Sequence, residues 1–395
     1  MEEDAQRLVI DTSVFMSDIE INDLINKYHV IIPYVVLEEL DNLKENRDSN
    51  KSYNARKAIR FIENNYDKFE FVKTKGMDWN KNDDRIIETA NFYNCAIFTN
   101  DLNMKVKCRA LGMHVVEVEY KEDDYKGYKV VELHDEEIAD FYSYKKNNWE
   151  ILTNQYLLLQ DKKKNIVDKY VWDGKKFKSI SYKSVENKYM GKVKPLNIEQ
   201  ELLFDMLQNK NIKIKLTTGR FGSGKDYVML SHAINLIENN KFDKLVWIRN
   251  NIEVDNSKEV GFLPGSLVDK ILPFSLTLAD HLGGQDGLNM MIESGKIELQ
   301  HLGFIRGRDI KNSILYVSEA ENISKEHAQL IMSRVGDGSI LYMNGDFKQV
   351  DKDIFRQNSG LKSMINGLKG NKNFGYIQLE QCERSEVARM VDLLD

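Results

Sequence analysis

Leu216-Thr217-Thr218-Gly219-Arg220-Phe221-Gly222-Ser223-Gly224-Lys225-Asp226 decides how the second half of the chain is read. It follows a strand-like run at 212–216 and precedes Val228, Leu230, Ala233, Ile234 and Ile237, which recur at helical spacing. Strand, GxxxxGK loop and helix form the setting in which backbone N–H groups and a helix N-terminus cradle phosphates while the Lys reaches the outer ones. Glycines suit such a loop because its backbone must approach the phosphates closely. Gly219, Gly222, Ser223, Gly224, Lys225 and Asp226 are therefore candidate nucleotide contacts. Further strand-like runs at 245–248, 314–317 and 340–343 make residues 194–395 an α/β domain.

Working outward, residues 1–120 carry the same alternation. Leu8-Val9-Ile10, Val30-Ile31-Ile32, Ala96-Ile97-Phe98 and Val115-Val116 are short apolar runs of the kind that buried parallel strands show. Pro33 suits the first turn of a following helix. Asn82-Asp83 is placed to cap a helix carrying Ile86, Ile87 and Ala90, and Gly112 stands where a helix ends in the left-handed conformation. Between the two α/β regions, residues 121–193 open on the polar break Lys121-Glu122-Asp123-Asp124. There Asp173-Gly174, between Tyr170-Val171-Trp172 and Phe177-Lys178-Ser179-Ile180, signals a hairpin. We expect a small β-rich module there, partly linker.

The 395 residues are 42% hydrophobic and 30% charged, with a formal net charge of −6. That suits a folded protein of two or three domains and excludes a disordered or fibrous one. With no basic bulk charge, nucleic-acid binding has to come from local patches. Cys95, Cys108 and Cys382 are too few and too scattered for a disulfide framework or a CxxC metal site, and the histidines form no zinc motif. The N-terminus is acidic, and no stretch approaches the roughly 18 uncharged apolar residues of a membrane helix. We expect a cytoplasmic protein that neither crosses nor enters a membrane.

Open parallel sheets gather ligands beyond the carboxyl ends of their strands. Asp11 follows Leu8-Val9-Ile10 directly, and Asp101 follows the run Ala96 to Asn100. Glu39 lies on a helix whose Val36, Leu40 and Leu43 face the core, and Asp83 or Asp84 opens the next helix. Singly, such acids are helix caps, turn formers or solvated first-turn residues. Together, Val9-Ile10-Asp11-Thr12-Ser13, then Pro33-Tyr34-Val35-Val36-Leu37-Glu38-Glu39-Leu40-Asp41, then Asp83-x-x-Ile86-Ile87 with Ala90, then Thr99-x-Asp101, resemble the PIN-domain nuclease pattern over residues 7–117. The resemblance implies Asp11, Glu39, Asp83 and Asp101 as metal-binding acids. The family's third acid stands three residues before the Ile and seven before the Ala, which selects Asp83 and leaves Asp84 in reserve. Hard Mg²⁺ or Mn²⁺ prefers oxygen ligands, and such an ion generates hydroxide and stabilises charge on a phosphodiester. Thr12, Ser13, Thr99 and Asn103 are placed to orient the acids or a water.

Residues 194–395 resemble the ATPase domain of PhoH-like proteins. Pro195-x-x-x-x-Gln200, the GxxxxGK loop, Gly261-Phe262-Leu263-Pro264-Gly265, Arg306-Gly307-Arg308, Ser318-Glu319-Ala320-Glu321-Asn322, Gly345-Asp346-x-x-Gln349-x-Asp351 and Glu383-Arg384-Ser385 follow in family order. The resemblance implies a RecA-like P-loop NTPase that binds ATP. Gln200, Arg308 and Arg384 would touch the nucleotide, with Arg249 and Arg306 as further phosphate or RNA contacts, and Glu319 would activate water. Two departures bear on the metal. The family's Walker B reads Asp-Glu-Ala-Gln-Asn where this chain has Ser318-Glu319-Ala320-Glu321-Asn322, and its Walker A Thr is Asp226 here. Asp226 and Ser318 have either exchanged the carboxylate and hydroxyl roles, or the site has decayed because an added carboxylate repels phosphate.

A PIN domain joined to a PhoH-like domain implies a metal-dependent endoribonuclease, favouring single-stranded RNA, coupled to ATP-driven unwinding and assembled as a homo-oligomeric ring. The alternatives are a catalytically degenerate nucleotide or nucleic-acid binding regulator, and an ATPase with a non-cleaving PIN-like domain. Lys162, Lys163, Lys164, Lys175, Lys176 and Lys178, near Tyr170, Trp172 and Phe177, read either as an RNA-binding face or as a solvated face over a small aromatic core. The second fits better, because aromatics in strands pack.

Overall fold

The computed structural model describes residues 6–16, 21–45, 49–73, 81–117, 125–133, 135–250, 275–352, 355–356 and 358–383. The chain divides into two compact units, Met1–Glu122 and Asp123–Asp395. The break at 121–124, the landmark at 261–265 and Arg384 lie outside the described residues.

In the first unit, β1 (Arg7–Ile10), β2 (His29–Pro33), β3 (Phe69–Val72) and β4 (Ala96–Phe98) form one parallel sheet in the order β3-β2-β1-β4. Leu8, Val9, Ile10, Val30, Ile31 and Ile32 are fully buried, as strands covered on both faces must be. The helices are α1 (Thr12–Phe15), α2 (Ile21–Lys27), α3 (Tyr34–Lys44), α4 (Ser49–Asn64), α5 (Asn82–Phe92) and α6 (Leu102–Ala110). Because β1 lies between β2 and β4, the residues just after β1 and just after β4 become neighbours. Pro33 is the N-cap of α3, as its fixed φ favours. The cap of α5 is Lys81 and carries no side-chain bond, so Asn82 and Asp83 lie inside the first turn instead of capping it. Val115 makes an isolated bridge to Ile97 where a strand was expected.

The second unit is built on six parallel strands: β11 (Ile214–Gly219), β12 (Lys244–Arg249), β13 (Ile297–His301), β14 (Ser313–Ser318), β15 (Ile340–Gly345) and β16 (Phe374–Leu379), in the order β13-β12-β14-β15-β11-β16. Successive strand residues point to opposite faces. Leu245, Trp247, Ile314, Tyr316, Ile340 and Tyr342 join one core, while Val246, Ile248, Leu315, Val317, Leu341 and Met343 join another. Preceding this sheet are β5 (Tyr128–Glu132), α7 (Asp135–Tyr144), β6 (Tyr156–Gln160), β7 (Ile166–Trp172) and β8 (Phe177–Ser179), sheeted in the order β5-β6-β7-β8, then the hairpin β9 (Val185–Asn187) and β10 (Gly191–Val193). The helices that follow are α8 (Ile198–Gln208), α9 (Lys225–Glu238), α10 (Leu276–His281), α11 (Gln285–Glu293), α12 (Lys325–Met332) and α13 (Gly360–Leu368).

The β-rich segment is docked on the larger sheet. Leu157, Leu159, Tyr170 and Phe177 form its own core with Phe141, while Tyr156 and Leu158, on the other face of β6, join the core of the six-stranded sheet. The Asn154 amide donates to the carbonyls of Asn371, Lys372 and Phe374 at 3.2, 3.1 and 2.9 Å. Gly127, at φ +80°, passes so close to β16 that a Cβ would lie 1.7 Å from the Tyr376 carbonyl oxygen. The expected Asp173-Gly174 hairpin joins β7 to β8, with Tyr170 and Phe177 buried and Lys162 to Lys164 exposed in the preceding turn. Lys178 pairs with Asp173 at 2.8 Å. Tyr170 and Phe177 are thus packed into a core, as strand aromatics are.

Candidate active sites

In the first unit the acids stand on the carboxyl rim of the sheet. Asp11 continues β1, its N–H donating to the Phe98 carbonyl at 3.1 Å. Its carboxylate is 5% exposed and accepts from the hydroxyls of Ser13 at 2.5 Å and Thr99 at 2.7 Å. Those hydroxyls in turn accept from the backbone N–H groups of Asn100 and Asp101 at 3.1 and 3.0 Å. The turn between β4 and α6 is thus tied to Asp11. Asp101 is the N-cap of α6 and accepts from Met104 N–H at 2.9 Å.

Glu39, on α3, accepts from the Thr12 hydroxyl and from Asn82. Burial pushes its carboxyl above the usual range; the bonds from Thr12 and Asn82 hold it down, and the charges of Asp11 and Asp83 push it up again. Asp11, Glu39 and Asp83 therefore share one electrostatic neighbourhood. Asp84 is engaged elsewhere: it binds Lys107 Nζ at 2.8 Å, and that ammonium also feels Asp83 and Asp101. Clustered carboxylates disfavour one another's charge unless a cation compensates them, and Lys107 supplies part of that compensation. Among the described residues, no three His, Cys, Asp or Glu side chains stand close enough to ligate one ion as arranged. The donors are all oxygens, the type a hard divalent ion prefers, but as arranged they do not converge on one point.

In the second unit the loop between β11 and α9 opens at the carboxyl edge of the sheet. Gly224 caps α9 in the left-handed conformation, φ +79°, and a Cβ there would meet Gln200 Nε2 at 2.9 Å. Gln200 is 3% exposed; its Nε2 donates to the Ser223 carbonyl at 3.0 Å and its Oε1 accepts from Leu196 N–H at 2.9 Å. It braces the loop and lines the cavity beside it. Lys225 Nζ donates to the carbonyls of Gly219 and Arg220 at 3.0 and 3.3 Å, folding over the loop, and Glu383 N–H donates to the Gly222 carbonyl at 2.9 Å.

A cavity of about 800 Å³ lies over this loop, lined among others by Lys225, Asp226, Glu319, Glu321, Asn344 and Asp346. Glu319 has a left-handed φ of +51° and pairs with Arg249 at the end of β12. Its carboxyl is raised by burial and lowered by Arg249. Burial also pushes Glu321 up to about 8, against the N–H of Asp346 that its Oε2 accepts at 3.0 Å. Burial thus favours the neutral form of Glu321. Ser318 is buried at the end of β14 and is not among the residues lining the cavity.

The nucleotide contacts expected from the C-terminal landmarks fare differently. Arg308 donates to Glu298 on β13 at 2.6 Å, and three strands separate β13 from β11 in the sheet. At about 4.8 Å per strand, that edge is on the order of 20 Å from the phosphate loop. Arg308 is spent on Glu298: burial opposes ionisation of that acid, but Arg308 and Lys244 together bring it down to about 2. The reading of Arg308 as a phosphate contact within one chain does not fit this order. Two residues beside Asp226 escaped the sequence: Asn344, which lines the cavity, and the buried Tyr316. Asn344 stands directly before the Gly345-Asp346 landmark, which was the available signal, whereas Tyr316 sits inside an apolar run that gives none.

These geometries define a PIN-type unit with an acidic sheet rim and, later in the sequence, a P-loop NTPase-type unit. The comparisons give the family: the PhoH-like protein profile matches residues 192–394 and the PIN domain profile residues 8–119. The chain belongs to the PhoH-like protein family, with a PIN domain ahead of the PhoH-like domain. It is 25% identical to Protein PhoH2 of Bacillus subtilis (strain 168) over 451 residues, covering 98% of this chain and 99% of that protein. It is 23% identical to Protein PhoH2 of Thermobispora bispora over 422 residues, covering 97% and 95%. A PhoH-like protein of Synechocystis sp. is 32% identical over 168 residues, covering 42% of this chain and 50% of that one. Among the described residues no helix is long and apolar enough to cross a membrane.

Proposed function

We propose that the chain is a metal-dependent endoribonuclease, cutting single-stranded RNA at the acidic rim and coupling this to ATP binding and RNA unwinding in the PhoH-like unit. The observation that carries it is the buried Asp11 carboxylate, clamped by Ser13 and Thr99 within the field of Glu39 and Asp83. Asp11, Glu39, Asp83 and Asp101 would hold Mg²⁺ or Mn²⁺, which supplies a hydroxide nucleophile and neutralises charge on the phosphodiester. The chain's own part is orientation: Ser13 and Thr99 fix Asp11, Thr12 and Asn82 fix Glu39, and Asp101 is held by the α6 cap.

In the second unit Lys225 binds the outer phosphates of ATP and Asp226 serves the metal side, both lining the cavity, whereas Ser318, expected beside the metal, does not line it; Glu319 takes a proton from water once Arg249 releases it. Arg384 contacts the nucleotide, and Arg308 acts only across a subunit boundary in a homo-oligomeric ring. The setting is cytoplasmic.

A cleavage assay on RNA with Mg²⁺ or Mn²⁺ tests this, comparing wild type with Asp101→Asn. Loss of at least a hundredfold in rate supports it, and unchanged cleavage sinks it. The reading of an ATPase with a non-cleaving PIN domain has one observation in its favour: Lys107 already provides a cation inside the acidic rim. It predicts ATP hydrolysis without RNA cleavage by the wild type.

A further inference from the structure

Asp226 stands where the family's phosphate loop carries a hydroxyl, and its carboxylate is anchored from two strands. Asn344 Nδ2, at the end of β15, donates to Asp226 Oδ1 at 2.6 Å. The Tyr316 hydroxyl, on neighbouring β14, donates to the same oxygen at 3.4 Å, and Asn344 Nδ2 donates to the Tyr316 oxygen at 2.7 Å. The three polar groups close a triangle. Asn344 is 1% exposed, and Tyr316 is fully buried with its ring stacked on Trp247, centroids 4.8 Å apart. Neither donor is placed there by chance exposure, since a buried amide without an acceptor is disfavoured.

A decayed site has no reason to keep two buried donors fitted to one carboxylate oxygen. The same cavity contains a second sign of an expected ligand. Asp346 is 4% exposed, and its Oδ2 has no hydrogen-bond partner among the described residues.

We infer that Asn344 and Tyr316 are positioning residues that hold Asp226 as the cation-side carboxylate of the nucleotide site, so that a nucleoside triphosphate is taken up together with its divalent cation. The inference rests on the nucleotide-binding reading above. Binding of this kind makes Asp226 a replacement for the family's hydroxyl and not a lesion. It predicts that the three residues act as one unit, and residues that act as one unit are non-additive when mutated.

The test is calorimetric titration of the full chain with ATP, in Mg²⁺ and in EDTA, the readout being the ratio of the two affinities. In wild type the ratio favours Mg²⁺. Asn344→Leu and Tyr316→Phe should each narrow it by about tenfold toward the Asp226→Asn value, and Asn344→Leu combined with Asp226→Asn should narrow it no further than Asp226→Asn alone. Tyr316→Phe keeps the ring on Trp247, so a folded variant remains even if Asn344→Leu does not fold. A wild-type ratio retained in Tyr316→Phe and in any folded Asn344→Leu, or additive effects in the double variant, overturns the inference. Absence of ATP binding by the wild type in both conditions overturns the nucleotide reading itself, and the inference with it; Lys225→Ala, which should lose affinity in both, marks that baseline.

Discussion

Gln200→Ala removes the brace between the entrance of α8 and the phosphate loop. Two bonds go: Nε2 to the Ser223 carbonyl at 3.0 Å and Oε1 from Leu196 N–H at 2.9 Å. The residue is 3% exposed, so the backbone groups left behind are poorly hydrated. An orphaned buried group costs about 1–3 kcal/mol, and because water enters part of an alanine-sized gap we take about 1–3 kcal/mol for the two together. That cost is local to the loop and raises its open population by about 5- to 150-fold, at 1.4 kcal/mol per factor of ten. Amide exchange in residues 219–228 of the nucleotide-free chain should accelerate by that factor while β12 and β14 exchange as before. The Kd for ATP scales inversely with the fraction of closed loop, so it weakens only once the open form becomes a sizeable share of the population. Gln200→Glu does no better, because it sets an acceptor against the Ser223 carbonyl. Loop exchange within twofold of wild type in Gln200→Ala would show that the brace carries no energy.

Asn154→Ala takes one side chain from three carbonyls of the β16 approach and should lower stability by about 1–3 kcal/mol in denaturant titration; no change would mean that water replaces the amide without loss. Glu321 gives a pH signature. Its folded-state value near 8 lies above the 4.5 of the unfolded chain, so the folded state keeps a proton that the unfolded state releases. Stability therefore falls with rising pH between those values and is level outside them. Glu321→Gln should match wild type near the acid end of that window and gain on the order of a few kcal/mol by its alkaline end. A melting-temperature difference between variant and wild type that does not change with pH would refute this.

The two sites were legible to different depths. Asp11 and Asp101 could be placed on one rim because Asp11 follows a buried strand directly and Asp101 follows another after Thr99 and Asn100, and parallel pairing of β1 with β4 brings those strand ends together. The phosphate loop was legible because strand, glycines and helix are contiguous. The place of Arg308 was not legible because sequence order carries no information on strand order: its partner Glu298 is on β13, which follows β12 and lies at the outer edge of the sheet. β3 and β13 mix polar with apolar residues, Phe69-Glu70-Phe71-Val72 and Ile297-Glu298-Leu299-Gln300-His301, so neither offers the unbroken apolar run that marked the central strands. The Asn344–Asp226 contact spans 118 positions and depends on β15 lying next to β11, which no local pattern reports.

The central claim is a metal-dependent cut in RNA made by the acids of the first unit. Its most direct test is cleavage of labelled single-stranded RNA and DNA by the full chain, with Mg²⁺ or Mn²⁺ and with EDTA, each with and without ATP, for wild type and Asp11→Asn. The account predicts cleavage of RNA by wild type that EDTA abolishes, that ATP increases on structured substrates, and that Asp11→Asn reduces by at least a hundredfold. Equal cleavage by wild type and Asp11→Asn, or cleavage that survives EDTA, would contradict it.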